Sequence, residues 1–171
     1  GIDGSKILEL YVGSTTSIDV YVVGYFTTES SFFTNAVDKS LTALAAWTDI
    51  DISAATSGDT AIGAIFEIDS FEGSGAGLRK NGSTDNRINT IIDHNSFGAV
   101  IGVDGSEICE GYIESTNIDF FLVGYVKSGA AFYTNATNTS MGSAGAWLDL
   151  TTLPTSALSG GFLEIVNTGE G

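Results

Sequence analysis

The sequence predicts an all-β chain of tandem, jelly-roll-like β-sandwich repeats of about 100 residues, the second copy incomplete. Three observations carry that expectation. A short apolar run of β-branched and aromatic residues occurs twice, Ile18-Asp19-Val20-Tyr21-Val22-Val23-Gly24-Tyr25 and Ile118-Asp119-Phe120-Phe121-Leu122-Val123-Gly124-Tyr125. Such runs read as buried strands rather than helices. The residues around the two runs recur in the same order. Glycine is abundant (22) and proline occurs once, as Pro154, which suits short strands joined by turns.

Residues 1–15 and 102–116 are identical at nine of fifteen positions. Asp3-Gly4 and Asp104-Gly105 are turn dipeptides. The strand that follows alternates, with Leu8, Leu10 and Val12 on one face and Ile7, Glu9 and Tyr11 on the other. The doublet strand comes next and is expected to be central and covered on both faces. Asp19 and Asp119 fall at its rim, and Gly24 and Gly124 permit a bend or the close approach of another backbone. Phe32-Phe33-Thr34-Asn35 then matches Phe132-Tyr133-Thr134-Asn135. A helical turn is expected over residues 41–46. Trp47-Thr48-Asp49-Ile50 matches Trp147-Leu148-Asp149-Leu150 as a strand, and Phe66-Glu67-Ile68 matches Leu163-Glu164-Ile165. Residues 74–101 have no counterpart and should hold two or three strands, with Asn81-Gly82 as a hairpin turn.

The repeat is thus about 101 residues long and the chain carries about 1.7 of it. The reading is a first sandwich at residues 1–101 and a second, truncated one at 102–171. Two linked sandwiches are favoured over one fused sandwich with pseudo-two-fold symmetry. A copy lacking two or three strands has an open edge, and open edges recruit strands from other chains. A head-to-tail contact that does not close into a ring builds a fibre.

Composition narrows the partners. Hydrophobic residues make up 43% of the chain, enough to build a core. Twenty-one acids against six bases leave a net charge of −15, which repels phosphate and makes nucleic acid and anionic membrane poor partners; neither nucleic-acid binding nor membrane insertion is expected. The same charge favours solubility. No apolar run approaches the ~18 residues of a spanning helix. The chain starts at Gly1 rather than Met, which reads as a removed leader or a fragment, and the former fits an extracellular location: secreted, at a cell surface or on a virion.

Residues that might carry chemistry are few. Cys109 is the only cysteine, so no intrachain disulfide forms, and its alignment with Leu8 makes it a buried small hydrophobe. His94 is the only histidine, which excludes zinc sites and His-based triads within one chain. Carboxylates recur at Asp3/Asp104, Glu9/Glu110, Asp19/Asp119, Asp49/Asp149 and Glu67/Glu164. Paired carboxylates serve glycoside hydrolysis, but duplication accounts for these pairs and places their members in different copies, so no catalytic residue and no enzyme are expected. No cofactor is expected; calcium, which takes clustered oxygens, is the one ion for which Asp3-Gly4-Ser5 and Asp49-Ile50-Asp51 offer ligands. Trp47 and Trp147 share a repeat position and read as core aromatics fixed by the fold, as do Tyr25/Tyr125 and Phe32/Phe132; if exposed, the tryptophans would stack on sugar rings. Arg79, Lys80 and Arg87 form a basic patch that reads equally as a match for acids of a neighbouring copy or as solvated hairpin charges. Asn81, Asn135 and Asn138 head Asn-x-Ser/Thr sequons and are candidate glycan acceptors.

The run at 104–125, with Gly77-Leu78-Arg79-Lys80-Asn81-Gly82-Ser83-Thr84-Asp85-Asn86-Arg87, resembles tandem β-rich modules of uncharacterised microbial and viral surface or structural proteins. The resemblance implies a structural role and assigns no functional residue. The expected function is a subunit of an extracellular filament, sheath or virion appendage. Its partner is itself, in a head-to-tail homopolymer joined by strand complementation. The alternative is a carbohydrate-binding or adhesive surface module.

Overall fold

The computed structural model describes residues 26–139 and 161–165. Eight strands occur there: β1 (Ser30–Asp38), β2 (Thr48–Asp51), β3 (Gly63–Ser70), β4 (Ser74–Lys80), β5 (Asn89–Ile91), β6 (Asn95–Gly102), β7 (Ile108–Ile113) and β8 (Ile118–Val126). They form two antiparallel four-stranded sheets, ordered β1-β8-β3-β6 and β2-β7-β4-β5. The all-β class expected from composition and patterning is therefore observed. The described residues contain no helix, and so none long and apolar enough to cross a membrane.

Alternation explains which side chains meet. On β7, Cys109, Gly111 and Ile113 are buried while Ile108, Glu110 and Tyr112 are half-buried on the other face. This is the two-residue period read from the matching stretch at 7–12. On β3, Ala64, Phe66 and Ile68 point inward and Glu67 outward. Phe66, Ile68, Phe120 and Leu122 of one sheet join Ile50, Ala76, Leu78, Cys109 and Ile113 of the other in a single hydrophobic cluster. At its centre Phe66 and Phe120 meet edge to face, centroids 6.3 Å apart, an arrangement worth ~0.5–1.5 kcal/mol beyond area burial.

The doublet strand is interior where it is described. β8 lies between β1 and β3, with Ile118, Phe120 and Leu122 fully buried. The expected close approach at Gly124 is present: a Cβ there would stand 2.5 Å from the Ser31 carbonyl oxygen and 3.1 Å from the Phe32 ring. The pairing of β8 with β3 also slips in register beside Gly124. The first copy of the run, residues 18–25, lies outside the described residues.

β6 runs through the junction at 101 and 102. β7 lies between β2 and β4, and β8 between β1 and β3. Each sheet thus interleaves strands from both sides of that junction.

Two local expectations fail. Residues 41–46 hold no helical turn. Leu41 is buried in the core, Ala45 has φ 55°, and its N–H donates to the Ile113 carbonyl instead of to a preceding turn. A left-handed residue interrupts a right-handed helix. Asn81-Gly82 does turn the chain, with Gly82 at φ 78° and Ser83 N–H bonded to the Lys80 carbonyl. It does not close a hairpin, because the chain runs on through residue 88 before β5 pairs with Ser74, Gly75 and Ala76 at the far end of β4. Residues 74–101 do contain three strands, β4, β5 and β6.

Candidate functional site

The outer face of the β2-β7-β4-β5 sheet carries the densest set of the residues singled out by sequence. Trp47, just before β2, is half-buried outside the core. Its indole lies 5.5 Å from the Tyr112 ring, and its Nε1–H donates to Asn86 Oδ1 at 3.0 Å. The Arg79 guanidinium sits 4.3 Å over the indole and makes a bidentate pair with Glu110, at 2.8 and 3.0 Å. Alternation on β4 and β7 puts Arg79, Glu110 and Tyr112 on this one face. Gly77 lies beneath: a Cβ there would meet the Arg87 carbonyl oxygen at 2.6 Å and the Trp47 ring at 2.9 Å. Residues 83–88 thus cross the sheet in close contact with it. The expectation of core aromatics holds for Tyr125, which is buried, and fails for Trp47, half-buried on the outer face of a sheet, and for Phe32, which is exposed.

The basic patch is used within the chain. Arg79 binds Glu110, Arg87 binds Asp85 and, at 2.7 Å, Glu164, and Lys80 Nζ donates to the Phe132 carbonyl at 3.3 Å. These partners all lie within the chain. The separation of 31 residues between Arg79 and Glu110 hid their pairing from sequence reading.

At the end of the sheets formed by the β2–β3 and β6–β7 connections, carboxylates fasten turns. Asp104 Oδ1 accepts the N–H groups of Ser106 and Ile108, and Oδ2 accepts from Asn81 Nδ2 at 2.7 Å. The Ile108 N–H bond, against the opposing effect of desolvation, holds the Asp104 carboxyl below the usual range, and the Asn81 and Ser106 bonds add to it. Ser40 does the same for Asp38, and Ser53 for Asp51. Glu107 is the least anticipated residue here. It is 9% exposed, has φ 63°, and accepts from Thr56 Oγ1 and the Ala61 N–H, both at 2.9 Å. Its counterpart in the other copy is Lys6, so the duplication gave no signal. Two adjoining clefts of about 260 and 390 Å³ open here, one beside Lys80 and Phe132 and one beside Asp59 and Glu107. Their polar groups largely bind one another; Tyr125 Oη donates to Asp59 at 2.8 Å.

The remaining singled-out residues are scattered. Among the described residues, no three His, Cys, Asp or Glu side chains gather in a metal-binding group. Asp49 stands opposite Glu110, Asp119 opposite Asp69, and Glu67 opposite Phe121. Asp3, Glu9, Asp19, Trp147 and Asp149 lie outside the described residues. Cys109 is fully buried, and burial pushes its thiol up to about 12, the behaviour of an inert packing residue. Of the sequons, Asn135 and Asn138 are exposed. Asn81 is half-buried with its amide nitrogen bonded to Asp104, and the Ser83 hydroxyl of its sequon is buried against Asn135.

The sheet edges differ most. β2 has four residues, two of them aspartates, and β5 has three. β1 is longer but carries Asp38 and a register break between Phe32 and Val37. β6 has eight residues, Asn-Ser-Phe-Gly-Ala-Val-Ile-Gly, with no charge and no proline, in unbroken register with β3. Among the described residues β3 is its only strand partner. Short edges, charges and bulges are the devices that prevent strand recruitment, and β6 has none of them.

No family model, no curated protein and no solved structure matches this chain.

Proposed function

We propose that this chain is a structural subunit of an extracellular filament, sheath or virion appendage that assembles with copies of itself by β-strand complementation. The observation that carries this reading is the β6 edge, long, uncharged and paired on one side only among the described residues. A strand offered to such an edge gains main-chain hydrogen bonds along its whole length. The absence of charge on β6 also matters in a chain of net charge −15, because assembly there sets no carboxylate of β6 against the incoming strand.

The eight strands give the repeat a natural frame. β1 through β8 span Ser30–Val126, close to one sequence period, in two sheets around one core. We read this eight-stranded, sandwich-like arrangement as the repeating unit. In that frame residues 1–25 repeat the sequence of β7 and β8, and residues after 127 repeat that of β1 to β3.

A glycan-binding surface is the second reading, favoured by the placement of Trp47 and Tyr112 on an outer sheet face. Arg79 already occupies a face of the indole that a sugar ring would need, so assembly is the stronger conclusion. Sedimentation velocity over a wide concentration range, with negative-stain microscopy of the same samples, tests it. Mass that grows with concentration and regular filaments or sheets are expected. A monomer at every concentration would overturn the proposal. Glycan-array binding abolished by Trp47→Ala would replace it with the second reading.

A further inference from the structure

We propose that the free edge of β6 accepts residues 161–165 of a second copy, Gly161-Phe162-Leu163-Glu164-Ile165, as a fifth strand. This rests on the self-assembly reading and names its two contacting parts.

Among the described residues, the acceptor has an unfinished flank as well as an open edge. Phe97, Ala99 and Ile101 alternate along β6 on the side of the core, and all three remain half-buried. Interior strands of the same sheet bury their equivalents: Phe66 and Ile68 on β3 are each 1% exposed, and Phe120 and Leu122 on β8 are fully buried. A strand added beside β6, with apolar residues on the core side, would cover this flank.

The donor has the right sequence in the wrong surroundings. Leu163-Glu164-Ile165 repeats Phe66-Glu67-Ile68 of β3, the strand with which β6 already pairs. In β3 the two apolar residues face the core and the glutamate faces outward. Placed antiparallel to β6 as β3 is, Leu163 and Ile165 would share the face of Phe97 and Ala99, and Glu164 would lie on the outer face. In its own chain the segment belongs to no strand, and Phe162, Leu163 and Ile165 are 54%, 55% and 86% exposed. There Glu164 is held by Arg87 and Asn89, beside the other sheet. Transfer to a second copy exchanges these solvent-accessible polar bonds, and the stacking of Phe162 on Phe132 at 5.6 Å, for a ladder of main-chain bonds and apolar cover. The donor and acceptor surfaces differ, so the contact is head-to-tail and propagates when its rotation does not close a ring.

Two variants separate the parts. Leu163→Asp/Ile165→Asp disables the donor at exposed positions. Ser96→Glu/Gly98→Glu charges the acceptor at exposed positions with room for a side chain, and sets carboxylates against Glu164. Circular dichroism verifies that both remain folded. In sedimentation velocity, wild-type chain is expected to form long polymers and each variant alone to stay monomeric. An equimolar mixture of the two should give a two-chain species and nothing larger, because it holds one working donor and one working acceptor. A mixture that stays monomeric overturns the proposal. So does polymerisation by the donor-disabled variant alone, although self-assembly itself would then stand. A monomeric wild-type chain overturns both.

Discussion

The two sheets share a core but end differently at their edges. The β2-β7-β4-β5 sheet is closed off. Its edge strands have four and three residues, residues 83–88 run across its outer face, and Trp47, Arg79, Glu110, Tyr112 and Asn86 bind one another there. The β1-β8-β3-β6 sheet has longer strands, and among the described residues β6 ends it with an uncharged edge and an incompletely covered core flank. Side-chain networks that satisfy a surface internally leave little for a partner, whereas unpaired main chain invites one. The proposed association would use the second of these sheets and leave the first intact.

The largest expected effect tests whether the sheets are one unit. Phe120 is fully buried and meets Phe66 at the centre of the shared cluster. Phe120→Ala should cost about 3–5 kcal/mol in denaturant unfolding. Fluorescence and circular dichroism should report one coincident transition. Two separated transitions would break the picture of sheets joined by one core.

Glycine substitutions sharpen the contrast directly. Gly77→Ala forces a methyl against the Arg87 carbonyl and the Trp47 ring, and the expected loss is about 1–3 kcal/mol. Gly98→Ala, on β6, meets nothing nearer than 3.9 Å, and relief of unfolded-chain entropy should leave it neutral or stabilise it by about 0.4–1 kcal/mol. Equal costs at the two positions would remove the distinction between a covered face and an open edge.

A smaller effect measures the network itself. Trp47→Phe, Arg79→Lys and the double variant form a cycle in which the guanidinium–indole contact at 4.3 Å should couple the two positions by about 0.5–2 kcal/mol. Additive losses would show that Arg79 acts through Glu110 alone.

Much of the fold was legible because burial on one face imposes a period of two. The strands at β7 and β8 followed from alternation and from a dense apolar run. Gly124 was recognised as a point of close approach, and Cys109 as a packing residue from its match to Leu8. What stayed hidden depends on contacts between distant parts of the chain. Arg79 and Glu110 meet only because β4 and β7 are neighbours, and Glu107 is buried by Thr56 and Ala61 on another connection. The helical turn read at 41–46 was overridden by a tertiary bond from Ala45 to Ile113. Strand order was hidden as well, since it is a property of the pairing and not of any one stretch.

The smallest effect concerns the turns that fasten the strand ends. Asp38 and Asp51 are exposed and Asp104 is half-buried, and hydrogen bonds hold all three carboxyls below the usual aspartate range. A depressed folded value means the carboxylate form is favoured by folding. Its contribution is complete above the unfolded aspartate value of about 3.9 and is lost as pH falls through the lower folded value. Asp104→Asn should therefore lower stability slightly near neutral pH, because an amide replaces the oxygen that accepts from Asn81. It should also flatten the loss of stability on acidification below about pH 4, because one group that binds a proton preferentially in the unfolded chain has been removed. Urea unfolding at a series of pH values compares the slopes. An unchanged acid slope would show that the Asp104 turn does not report on folding, and would leave the acid response to Asp38, Asp51 and the remaining carboxylates.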